Sequence, residues 1–304
     1  GKMFNYWTEG GFIAWGQNPD PETGKTPLQL FMDGRAQAAY DRRVFDIWTY
    51  IMSGGLPGSV GYEIMQAADL EVRMTGKKLE QILTPEDYVK LGQSMSDELE
   101  KRNVWVVLMP SAVYNDPDRS ASYHTIKGLE QNPNWRIVFF NNRQKLYVDV
   151  RTPQGKELFD GIFNGKTVYP DDYHANLIRA HSWFRYKPGI EAKKMALDFA
   201  IKSFNLNPMP STMLEILVMG TNFSELNPTI NQFCSDYFNE FLEKKDVWSK
   251  QDGYRHKVEA VRLACYHLKR LAQSKRDKKL VNFYAGKENE YLEVLTRIHE
   301  NKRW

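Results

Sequence analysis

Residues 4–35 read FNYWTEGGFIAWGQNPDPETGKTPLQLFMDGR, and the order of elements in them decides the fold. Residues 3–6 have strand character. Thr8 suits a helix cap, so 8–15 reads as a short helix with Gly10 and Gly11 inside it. Residues 18–27 are a loop of Pro, Gly and Asp. Residues 28–32 form an apolar run of strand length, suited to burial on both faces, and Asp33-Gly34-Arg35 turns the chain out of it. Strand, helix and strand within about thirty residues make one βαβ unit. In such units ligands gather beyond the carboxyl ends of the strands.

Working outward, residues 36–52 carry helical periodicity through Ala39, Tyr40, Val44, Ile47, Trp48 and Ile51. Residues 59–83 lean towards helix, with a short strand at 70–74 as the alternative. Thr84-Pro85-Glu86-Asp87 starts a helix, with Pro in the first position and acids in the first turn, running to about Arg102. Val104–Met109 is the clearest strand of the chain and stops at Pro110. A polar loop, 111–120, and a helix over 121–131 follow. The apolar runs 135–140 and 145–150 flank Asn141-Asn142-Arg143-Gln144, a hairpin connection. This alternation predicts a Rossmann-like α/β domain over 1–152, with a mainly parallel sheet and an antiparallel edge hairpin.

Pro153, Gly155, Gly161, Gly165 and Pro170 cluster in 153–170, which reads as a linker. Residues 171–304 show helical patterning only, over 171–185, 190–204, 211–220, 228–244, 254–275 and 278–300. The unit 192–208, AKKMALDFAIKSFNLNP, is similar to the second helix of a tetratricopeptide repeat, although no steady ~34-residue period accompanies it. The second domain is thus all-α, with paired antiparallel helices expected.

The 304 residues are 42% hydrophobic and 13% aromatic, ample for two cores and contrary to disorder. A net charge of +3 with both signs interspersed is too mild to imply nucleic acid. The densest basic run, Lys269, Arg270, Lys275, Arg276, Lys278 and Lys279, reads as a solvated helix face. No apolar run reaches membrane-spanning length. Gly1-Lys2-Met3 leads straight into a strand, as expected of a domain excised from a longer protein. Cys234 and Cys265 are read as buried thiols, with one disulfide left open.

Applying the carboxyl-end rule gives a candidate ligand rim: Asn5, Trp7 and Glu9 after the first strand, Asp33 and Arg35 after the second, Ser111 and Asp116 after the third, and Asn141 after the fourth. His124 follows the third-strand loop and could reach the same rim. Acids, amides and one guanidinium suit a sugar or phosphate. Arg35 would fork onto an anion, Asp33 or Glu9 would serve as a base if burial raised its pKa, and Trp7 would stack on a sugar ring. Each has a plainer reading: Asp33 and Arg35 bracing a turn, Gly10 and Gly11 allowing close packing, Trp7 in the core. The loop 18–24 lacks the distal Glu of a calcium site. Asp171, Asp172 and His174 open a helix, where acids favour the dipole, and no metal or cofactor is expected. No catalytic signature is present, so no residue is assigned a catalytic role.

Asn5, Gly10, Gly11, Trp15, Asp33-Gly34-Arg35, Tyr40, Val104–Met109 and Trp135 occur in an order that resembles the soluble C-terminal domain of bacterial many-spanning, glycosyltransferase-like membrane proteins of the mannosyltransferase-related C type. The similarity covers 3–150. It departs in an expanded 55–103 stretch and in Asn141, where an acid is expected. The resemblance implies an extracytoplasmic, inner-membrane-attached accessory domain whose partner is the membrane-spanning part of the same polypeptide. Catalytic acids would lie in membrane loops outside this chain, and a glycan or protein would bind through the helical half. Two other readings stand beside it: a free-standing enzyme acting on a sugar or phosphate ester at the rim, and an interaction scaffold using the helices.

Overall fold

The computed structural model describes residues 2–6, 13, 16–32, 42–110, 121–141 and 143–301. The chain forms two compact units, Gly1–Thr167 and Val168–Trp304.

The first unit is built on five strands, β1 (Lys2–Asn5), β2 (Gln29–Leu30), β3 (Val104–Pro110), β4 (Trp135–Phe140) and β5 (Gln144–Asp149), in the order β2-β1-β3-β5-β4. β1 runs parallel to β2 and β3, with Phe4 opposite Val107 and Asn5 opposite Leu108. β5 is antiparallel to both β3 and β4. The sheet is therefore mixed, which corrects the expectation of a mainly parallel one. A short turn between β4 and β5 permits only antiparallel pairing, and that hairpin supplies two strands of the five. β3 is the central strand, and its VWVVLMP run is largely buried, as a strand covered on both sides requires.

Helices α1 (Arg42–Met52), α2 (Val60–Thr75), α3 (Leu79–Ile82) and α4 (Pro85–Glu100) lie between β2 and β3, and α5 (Ala121–Leu129) lies between β3 and β4. α2 runs through 70–74 as helix, so no strand forms there. Met65 and Ala68 face inward, Leu70 and Met74 face out, and Gly76 at φ +69° ends the helix in the left-handed region. Thr84 caps α4: its hydroxyl accepts from Asp87 N at 3.2 Å, and Asp87 Oδ2 accepts from Thr84 N at 2.9 Å. α4 and α5 touch backbone to backbone. A Cβ on Gly92 would stand 2.1 Å from the Gly128 carbonyl oxygen, so neither helix tolerates a side chain there. Phe4, Trp48, Ile51, Met95, Leu99, Val107, Ile126, Trp135 and Tyr147 fill the core. Each such side chain, fully buried, contributes on the order of 1.5–3 kcal/mol.

Within the stretch expected to be a linker, Pro153–Asn164 forms helix α6. Pro153 sits in its first turn, and Gly165 closes it at φ +73°.

The second unit is helical throughout its described residues: α7 (Asp172–Tyr186), α8 (Ile190–Leu206), α9 (Pro210–Asn222), a 3-10 turn (Ser224–Leu226), α10 (Asn227–Trp248), α11 (Tyr254–Ser274) and α12 (Lys278–Asn301). Lys187, Pro188 and Gly189 fold α8 back along α7. Ala180, Ala196 and Ala200, all fully buried, let that pair approach closely. Lys193 reaches back to the carbonyls of Phe184 and Lys187 at the end of α7, satisfying groups the helix leaves open. Phe204, Tyr237, Phe241 and Tyr291 supply the bulk of the core. Cys234 and Cys265 are free and buried, and burial pushes both thiols up to about 12. No helix among the described residues is long and apolar enough to cross a membrane.

Candidate functional site

The three parallel strands end at one edge of the sheet, and Asn5 closes β1 there. Its side chain is fully buried. Nδ2 donates to the Met32 carbonyl at 2.7 Å and to the Tyr6 carbonyl at 3.1 Å. These bonds tie the chain leaving β1 to the chain leaving β2. The Asn5 carbonyl in turn accepts from Trp48 Nε1 at 3.0 Å, which docks α1 on the same corner. Tyr6 meets the Trp48 ring edge-on at 5.5 Å, and Phe4 meets Phe31 at 5.1 Å. The Oδ1 atom of Asn5 has no hydrogen-bond partner among the described residues. Turning the amide over would not help, since Oδ1 would then face the two carbonyls that Nδ2 now serves. A buried acceptor left open costs about 1–3 kcal/mol.

The other expected rim residues divide sharply. Trp7, Glu9, Asp33, Arg35, Ser111 and Asp116 lie outside the described residues. In sequence, Asp33 directly follows Met32 and Ser111 directly follows Pro110, the last residue of β3.

Asn141 and His124 are both described, and neither joins Asn5. Asn141 follows β4 at the same sheet edge, but β3 and β5 intervene, which sets it about 14 Å away at ~4.8 Å per strand. Its Oδ1 accepts from Arg143 N and Gln144 N, each at 2.8 Å, so it holds the hairpin turn. His124 is fully buried between α4 and α5, with Nδ1 at 2.8 Å from Tyr88 Oη. Burial holds the Tyr88 phenol up at about 12, and the pair is a buried contact between the two helices. The sequence signal for it was reciprocal: Tyr88 and Gly92 lie one turn apart, as do His124 and Gly128.

Asp171, expected to favour a helix start, caps α7 by accepting from His174 N at 2.8 Å. That backbone bond comes first among the causes holding its carboxyl below the usual range. Among the described residues no cluster of three or more His, Cys, Asp and Glu side chains could hold a metal ion. The described part of the carboxyl edge thus holds an unpaired hydrogen-bond acceptor that is closed from solvent, packed beside the rings of Tyr6 and Trp48. Among the described residues there, no acid or base stands beside it to move a proton.

No family model matches this chain, and no curated protein and no solved structure matches it either.

Proposed function

We propose that the first unit is a Rossmann-like ligand-binding domain, and that the chain serves without catalysis beside a membrane-embedded glycosyltransferase-like module, on the extracytoplasmic side, by holding a glycan acceptor. The observation that carries this reading is the open Oδ1 of Asn5, a buried acceptor at the carboxyl edge. A sugar hydroxyl would donate to it.

Topology supports the same place. In the order β2-β1-β3, crossovers of the usual right hand would take the β1-to-β2 and β2-to-β3 connections to opposite faces. The boundary between β1 and β3 would then be a switch point of the kind at which open α/β sheets bind ligands, with Asn5 at the end of β1 beside it. Trp7, Glu9, Asp33, Arg35, Ser111 and Asp116 belong to the segments that leave these three strands, so they would complete the site. The helical unit, with its tetratricopeptide-like helix pair, would serve as the surface for a protein partner.

Calorimetric titration of the chain with hexoses and hexose 1-phosphates tests the binding claim. Saturable binding that Arg35→Ala weakens at least tenfold, with the fold intact, is the expected result. Turnover of a hexose phosphate by the purified chain would instead establish the enzyme reading. The native reading frame tests the membrane claim: several apolar spans of about twenty residues are expected before Met3, and their absence refutes it.

A further inference from the structure

A cavity of about 380 Å³ opens among α9, the 3-10 turn, α10 and α11 of the helical unit. That volume lies within the usual range for small-molecule sites, about 300–1,000 Å³. Its wall combines Leu217 and Leu271 with Asn227, Asn231, His267 and Arg270. The cavity does not depend on the sheet edge described above.

We propose that this cavity binds a small organic anion, a molecule with one carboxylate or phosphate group and an apolar body. Arg270 is the reason for the charge. Its neighbours on α11 are neutralised: Lys269 bonds Glu288 at 2.5 Å, and Arg262 bonds Glu259 at 2.6 Å. Arg270 has no carboxylate within ion-pair distance among the described residues, and it lines the cavity. A guanidinium in that state is matched by a planar carboxylate or a phosphate, which accept two parallel hydrogen bonds.

His267 and Asn231 supply direction. His267 Nε2 lies 2.7 Å from Asn231 Oδ1. Burial, helped by the Arg270 charge, holds the ring below its usual pKa, and in the tautomer protonated at Nε2 the ring donates to the amide oxygen. The two Asn231 Nδ2 protons are then uncommitted to any acceptor among the described residues. Asn231 and Arg270 together make a donor pair. Leu217 and Leu271 take the apolar body. Gly220 keeps α9 tight against α10, since a Cβ there would meet Asn227 Oδ1 at 2.6 Å. The sequence carried two faint signs, Asn227 with Asn231 and His267 with Arg270, each pair one helical turn apart.

The test titrates the whole chain, labelled at asparagine and histidine, with benzoate, phenyl phosphate and the neutral control benzyl alcohol, following Asn231 and His267 by NMR. The expected result is saturable shifts of both residues with at least one anion, binding at least tenfold weaker for benzyl alcohol, and a loss of at least tenfold in Arg270→Gln with unchanged thermal stability. A response to benzoate alone identifies a carboxylate ligand, and a response to phenyl phosphate alone a phosphate ester. No saturation by either anion at 10 mM, equal binding of benzyl alcohol, or full binding by Arg270→Gln overturns the proposal.

Discussion

The two edges of the sheet treat buried polar groups in opposite ways. At the amino edge Asp149, buried at the end of β5, receives the Arg151 guanidinium through Nη2 at 2.6 Å and Nε at 3.0 Å, and the Arg151 backbone N at 2.9 Å. The same guanidinium reaches Glu100 at 2.6 Å and Ser96 Oγ at 3.3 Å. The Asp149 bonds come first among the causes that raise the Arg151 pKa. Every member of this set is answered by another. At the carboxyl edge Asn5 has its donor satisfied twice and its acceptor not at all. The difference teaches how to separate scaffold from site: a closed set stabilises the fold by itself, whereas an open buried acceptor costs free energy that a ligand can recover.

The largest expected effect comes from an open group that has a remedy Asn5 lacks. Glu215 on α9 has no ion pair or hydrogen bond among the described residues, and burial holds its carboxyl up at about 7 against 4.5. Between those pH values the folded protein keeps a proton that the unfolded chain has lost, so stability falls as pH rises through this window. Glu215 is half-buried by exposed area, so solvent screening trims the loss to about 2–3 kcal/mol. Glu215→Gln removes it, and urea midpoints at pH 5 and pH 8 should then agree more closely than in the wild type. An unchanged pH dependence contradicts the burial account.

Breaking the closed set comes next. Arg151→Met leaves the Asp149 carboxylate buried without its cation. A fully buried broken pair costs 3–5 kcal/mol, and because Arg151 is one-third exposed the expected loss is about 2 kcal/mol, read by urea denaturation. Below about 0.5 kcal/mol, the set is not what holds that edge. A smaller effect, about 1 kcal/mol, is expected for Tyr88→Phe, which removes the hydroxyl at His124. Binding at the carboxyl edge should be unaffected by it, and any loss of ligand affinity would return His124 to the site.

Much of the scaffold was legible because its signals are local. The continuous apolar run of β3, the Asn-rich hairpin turn and the Thr84-Pro85 start of α4 each declare themselves within a few residues. The helices after 171 show their period in the same way. Helix α6 was hidden by its own punctuation. Pro153 and Gly165 suggested a linker, yet Pro in the first turn and Gly just past the end are also the marks of a helix. Residues 59–83 leaned towards helix, and the strand kept as an alternative at 70–74 arose because apolar content alone does not say which face of a helix is exposed. For the site, sequence could place Asn5 at a strand end but could not reveal that its oxygen is open. His124 looked close to the rim along the chain. Only the packing of α5 against α4, allowed by Gly92 and Gly128, turns it inward.

The central claim is that the open acceptor of Asn5 serves a ligand. It is tested most directly by NMR on the chain labelled at asparagine, titrated with hexoses and hexose 1-phosphates, for the wild type and for Asn5→Leu. The account predicts saturable shifts of the Asn5 side-chain amide in the wild type and no binding by the leucine variant, which still unfolds cooperatively but loses about 1–3 kcal/mol because the Met32 and Tyr6 carbonyls lose their donor. Equal binding by Asn5→Leu, or an Asn5 amide that no sugar moves, would contradict it.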